Sequence, residues 1–201
     1  MDVAKGDYSP IPGATFELQN FSALMRARGN SSPLCFNRTT EINHGQVFVS
    51  SESLTHLFAQ KVQQGQSKLK DVKVEIKENQ AHISGTMDKA IDVHFEIAGP
   101  VTTDGTNLIL TAKKIKAAGI PVKGLLGMVG KHLGDILQSE SVEGVKAEGD
   151  KLIFVPASIS HVKGRIVKLD LTDQGLRLDF EGAEKKSNVA STRSTKAQGS
   201  Q

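Results

Sequence analysis

Polar and apolar positions change period along the chain, and the changes mark its elements. In DVKVEIK, Val72, Val74 and Ile76 alternate with Lys73, Glu75 and Lys77; in AIDVHFEI, Ile91, Val93, Phe95 and Ile97 alternate with Asp92, His94 and Glu96. A period of two puts one strand face in the core and the other in water, the pattern of half-buried antiparallel strands. Ahead of them, SSESLTHLFAQKVQQ runs at helical period. Leu54, Leu57, Phe58 and Val62 share one face, Ser50 or Ser51 can cap the start, Glu52 lies in the first turn and Gly65 closes the end.

Turn residues divide the rest. Asp104-Gly105 predicts a hairpin leading into NLILTAKKIK, and Glu148-Gly149-Asp150 predicts another within GVKAEGDKLIFVP. GRIVKLDLTDQGLRLDF reads as a third, with Val167, Leu169 and Leu171 facing Leu176, Leu178 and Phe180 across Asp173-Gln174-Gly175. A slip of one residue there exposes every apolar side chain. Nearer the start, ATFELQNFSALMRAR alternates weakly, GNSSP reads as a loop, and Asn43-His44-Gly45 reads as a tight turn before a short strand. Residues 1–13, punctuated by Pro and Gly, are expected to be an irregular, flexible segment, 14–183 a single domain, and 184–201 a disordered basic tail. Short hairpin links and the absence of a β-α-β rhythm make the fold class α+β with antiparallel strands.

One segment breaks the pattern. AAGIPVKGLLGMVGKHLGDIL reads as a helix, yet carries Gly119, Gly124, Gly127, Gly130 and Gly134. A glycine inside a helix costs roughly 1 kcal/mol relative to alanine. Wound at about 100° per residue, Val122, Leu125, Leu126, Val129, Leu133, Ile136 and Leu137 form a stripe about 120° wide. Gly124, Gly127, Gly130 and Gly134 fall opposite, among Lys123, Lys131 and Asp135. Three readings stand open: close approach of a neighbouring backbone on the glycine face, a marginal helix that gates a cavity, or a glycine-based helix contact.

Composition narrows the function. The chain has 201 residues, 38% hydrophobic and 23% charged, as globular domains do. Aromatics are only 4%, without Trp, which argues against a base-stacking nucleic-acid surface and makes the core aliphatic. Net charge is +3, partly from Lys185, Lys186, Arg193 and Lys196 in the tail, a mild bias that suits anionic lipid headgroups or nucleic acid equally and, taken alone, more often reflects solubility. Cys35 is the single cysteine, so no intrachain disulfide forms. The opening residues contain no apolar run of signal-peptide length, so the expected compartment is cytoplasmic, or the envelope if the true start lies upstream.

Catalytic motifs are missing. There is no G-x-S-x-G elbow, H-E-x-x-H pair, G-x-x-x-x-G-K-[ST] loop or C-x-x-C pair. His82 and His94 lie on polar strand faces near Asp92 and Glu96, where a solvated face explains them better than a metal. No enzyme activity, cofactor or metal is expected. Lys113, Lys114 and Lys116 could ring a cavity mouth and hold a lipid headgroup phosphate, or protect an edge strand from aggregation.

Three runs taken together, INHGQVFVSSESLTHLF, LKDVKVEIKENQAHISGTM and AAGIPVKGLLGMVG, resemble the LmeA-like phospholipid-binding proteins of bacteria. They are also similar to the wider tubular lipid-binding (TULIP-like) superfamily. The resemblance spans roughly residues 38 to 181. It implies a strongly curved antiparallel sheet wrapped around two amphipathic helices, an apolar groove, and a place in the cell envelope, from which the missing export signal departs. The function expected is non-enzymatic binding or transfer of phospholipid or another long-chain apolar molecule, with peripheral membrane contact and no nucleic acid. The wall residues would be Leu54, Leu57, Phe58, Val122, Leu125, Leu126, Val129, Leu133, Ile136 and Leu137. Ten buried methylenes would contribute on the order of 8 kcal/mol. The rival expectation is a solid-cored structural or protein-interaction module.

Overall fold

The computed structural model describes residues 1–27, 38–64, 69–87, 92–117, 120–121, 142–159 and 162–182. Within them the chain is α+β and mostly antiparallel sheet. The strands divide among three sheets, where the sequence pattern predicts one. The first holds β1 (Asp2–Ile11), β2 (Ala14–Ala27), β3 (Arg38–Ser50), β15 (Gly175–Glu181) and β14 (Arg165–Thr172) in that order. The short β13 (Val162–Lys163) pairs parallel to β3. The second runs β10 (Ile120–Pro121), β9 (Lys114–Ala117), β6 (Val93–Gly99), β5 (Gln80–Met87), β4 (Leu69–Lys77). The third runs β11 (Val145–Glu148), β12 (Lys151–Phe154), β8 (Leu108–Thr111), β7 (Val101–Thr103). The chain passes from the second sheet to the third at Gly99-Pro100 and returns at Ala112-Lys113.

The segment expected to be irregular at the start is β1, an edge strand paired to β2. Its prolines are compatible with that place: an edge strand tolerates Pro10, and Pro12-Gly13, with Gly13 at φ +83°, makes the turn into β2. The weak alternation of β2 also has a physical cause. Ala14, Phe16 and Leu18 face inward on even numbers, Phe21 and Ala23 on odd ones, and the switch falls at Asn20, φ +47°. On β3 the inward set changes from Thr40 and Ile42 to Val47 and Val49. Asn43-His44-Gly45 is therefore a bulged stretch of strand, not a turn. A Cβ at Gly45, φ +137°, would stand 2.6 Å from the Cα of Phe21, so only glycine lets the two irregular stretches meet.

A third irregularity corrects the last hairpin. Leu171 pairs with Leu176 and Leu169 with Leu178, but a bulge between Ile166 and Lys168 brings Ile166, not Val167, opposite Phe180. Ile166 is buried at 3% exposure while Val167 is 40% exposed. One extra residue reverses the facing of the side chains beyond it, and bulged strands bend.

The predicted helix forms as α1 (Ser51–Gln64) and lies between the first two sheets. Ser50 is the cap: its Oγ accepts the Ser53 N–H at 3.1 Å. The buried Ser53 hydroxyl accepts the Thr15 N–H and donates to the Thr15 carbonyl, both at 3.0 Å, fastening α1 to β2. On the other side the Thr55 hydroxyl accepts the Val74 N–H at 2.9 Å, fastening α1 to the edge strand β4. Leu57 joins the core on the first sheet, Val62 the core on the second, and Leu54 touches both. Thr55→Val preserves shape but strands buried backbone groups of β4. It is expected to lower stability by about 1–3 kcal/mol, seen as a lower urea midpoint with an unchanged slope.

Candidate apolar binding site

A cavity of about 130 Å³ lies between α1 and the inner face of the first sheet. The sheet contributes Leu18, Phe21, Ile42, Val47, Val49, Leu176, Leu178 and Phe180 to its wall. Leu54, Leu57 and Phe58 face it from α1. Leu108 of β8, Phe154 of β12, and Pro156 and Ile159 of the helical turn Pro156–Ile159 close it from the third side. Tyr8 and Phe16, paired directly across β1 and β2, meet edge to face with centroids 6.4 Å apart. Met1, Thr40 and Val162 complete the lining, and Met1, half exposed, marks the solvent side.

Among the described residues the wall offers two side-chain hydroxyls, those of Thr40 and Tyr8. A buried water needs two to four polar partners, so this space favours hydrocarbon over water; an apolar cavity of about 150 Å³ takes up one benzene-sized guest. The capacity is therefore about six carbon atoms. Two smaller spaces adjoin α1. One of about 30 Å³ sits in the core of the second sheet, against Val62, Leu69, Val72, Phe95 and Ile97. The other, about 10 Å³, lies beside Leu57, Ile159 and Lys61. The Lys61 ammonium donates to the Glu143 carboxylate at 3.0 Å.

Of the wall residues expected from the sequence, the structure brings Leu54, Leu57 and Phe58 together on the cavity. Val122, Leu125, Leu126, Val129, Leu133, Ile136 and Leu137 lie outside the described residues, as does the glycine-rich segment that carries them. None of Lys113, Lys114 and Lys116 is among the described residues that line the cavity. Strand alternation explains their placement: Ile115 packs into the core of the second sheet, leaving Lys114 and Lys116 on its outer face. There the Lys116 ammonium donates to Glu96 at 2.6 Å, which holds Lys116 above and Glu96 below their ordinary values. On the same face the Lys73 and Lys77 ammoniums pull Glu75 down to about 2.

That outer face carries the histidines too. His82 Nδ1 stands 3.8 Å from Glu96, and His94 Nδ1 2.9 Å from the Thr86 hydroxyl. Thr86 pairs with His94 and lies four residues along β5 from His82, so the imidazoles are roughly 13 Å apart. They cannot share a metal, and no group of three or more potential ligands occurs among the described residues. No helix among them is long and apolar enough to cross a membrane.

Most of the cavity wall was not legible as a site. Tyr8 and Phe16 line it because β1 is a strand, and Phe154 because the third sheet closes over α1. The sequence signal for Phe154 was a hairpin alone, which says nothing about the neighbour it meets. Comparison with protein-family profiles, with curated proteins and with solved structures yields no match for this chain.

Proposed function

We propose that this protein binds the hydrocarbon part of a lipid or another long-chain apolar molecule, without converting it. One observation carries the proposal: a cavity of about 130 Å³ whose described wall residues, from the first sheet, α1 and the third sheet with the turn after it, are almost wholly aliphatic and aromatic. Left empty, such a space costs about 3 kcal/mol at 24 cal/mol per Å³, a large share of a stability of about 5–15 kcal/mol. A solid-cored interaction module would have no use for it. The expectation of an LmeA-like phospholipid carrier, with sheet wrapped around helix and peripheral membrane contact, belongs to this proposal and draws its support from the wall chemistry. The polar part of the ligand stays in solvent, because the described wall residues include no charged side chain.

Native mass spectrometry of the protein incubated with millimolar fatty acid is expected to show one adduct per chain. A uniformly unliganded spectrum, together with no uptake of a fluorescent fatty acid, would overturn the proposal. Six carbons at about 0.8 kcal/mol each supply about 5 kcal/mol before ordering costs, or affinity near millimolar. Tighter binding needs more buried chain than this cavity holds.

A further inference from the structure

We infer that Phe58 partitions one longer apolar channel and sets how much hydrocarbon chain the protein admits, an inference that rests on the function proposed above. Phe58 lines the large cavity and each of the two smaller spaces described above. Phe154 lines the large cavity and the space within the second sheet, and the two rings meet edge to face, centroids 5.2 Å apart at 77°. Among the described residues, this ring pair is what the linings of those two spaces share. Beyond it the lining is again apolar, with Val62, Val72, Phe95 and Ile97 among the residues around it. The protein has therefore built hydrocarbon-compatible space on both sides of a movable side chain.

The geometry favours displacement of the ring by a guest. Phe58 is half buried, packed against the core of the second sheet and paired edge to face with Phe154. Turning aside, the ring vacates its own benzene-sized volume next to the space of about 30 Å³ beyond it, and the several methylenes that then fit gain more than the ring pair contributes. A short chain stops at the ring, and a longer one turns it aside and enters the core of the second sheet. Phe58 is thus a specificity-determining residue for chain length.

The test is the affinity of the purified full chain for octanoate, dodecanoate and hexadecanoate, measured for wild type, Phe58→Ala, Phe154→Leu and Leu178→Ala. Leu178 lines only the large cavity, so Leu178→Ala enlarges that space without opening the partition. Phe58→Ala and Phe154→Leu are each expected to raise the dodecanoate-to-octanoate affinity ratio at least about tenfold over wild type, and Leu178→Ala less than about threefold. Phe154→Leu gives the same reading should Phe58→Ala fold poorly, as judged by its circular dichroism. A wild type that binds these acids, with ratios unchanged in both partition variants or raised equally by Leu178→Ala, overturns the inference and leaves the proposed function standing. A wild type that binds none of them removes both.

Discussion

Val49→Phe is expected to abolish hydrocarbon uptake while making the protein more stable. Val49 lies mid-face on the first sheet, between Phe16 and Leu176 in register, and points at the cavity. The space accommodates about one benzene-sized guest, and the substitution places a ring there covalently. Strand propensity does not oppose it, since phenylalanine suits β structure as well as valine does. A guest excluded from this space loses about five methylene contacts, roughly 4 kcal/mol, or about a thousandfold in affinity. Filling an empty apolar volume adds about 0.5–2 kcal/mol of stability, a rise of a few degrees in Tm for a chain of this length. Titration with a fluorescent fatty acid beside a thermal melt measures both signs. Undiminished uptake by a well-folded Val49→Phe would place the guest elsewhere.

The second large effect is on the fold. Gly99→Ala is expected to cost about 3–5 kcal/mol, at the upper end of single substitutions. Gly99 sits where the chain leaves the second sheet for the third, and a Cβ there would stand 1.9 Å from the Thr111 carbonyl oxygen. That oxygen cannot retreat cheaply. Thr111 N–H is bonded to the Pro100 carbonyl at 3.0 Å, Ala112 N–H to Asp150 at 2.8 Å, and Lys113 N–H to Ala98 at 2.9 Å. The crossing strands are locked together on both sides of the contact. Thermal unfolding should show Tm lower by roughly 10 °C. A variant melting within about two degrees of wild type would mean the crossing is far looser than its hydrogen bonds imply.

How much of this was legible in the sequence depends on whether a rule of period or a neighbour decided the outcome. The helix at Ser51–Gln64 and the strand at Leu69–Lys77 obey periods of 3.6 and 2, and both stand where those periods put them. The hairpin turns at Asp104-Gly105 and Gly149-Asp150 stand as well, the first braced by the Asp104 carboxylate accepting the Thr106 and Asn107 N–H groups. Bulges defeated the same logic at Asn20, Asn43 and Val167, because one inserted residue reverses parity without any change in composition. At the site, Leu54, Leu57 and Phe58 were legible as an apolar helix face. Their opposite walls were not, since the meeting of Phe154 with Phe58 is decided by how the third sheet stacks. In sequence the lysines before the glycine-rich segment form a cluster, while alternation in β9 and the carboxylate of Glu96 assign Lys116 to a surface ladder.

Among the described residues, the hydrogen bonds that tie α1 to the first two sheets and their turns lie near its beginning, at Ser51, Ser53 and Thr55. Farther along, Phe58 and Val62 are held by packing, and Lys61 by one ion pair at the surface. The helix is thus a beam clamped at one end. Any swelling of the interior deflects its far tip more than its root, so amide exchange should grade steadily upward from Leu57 to Gln64 and flatten when a guest is bound.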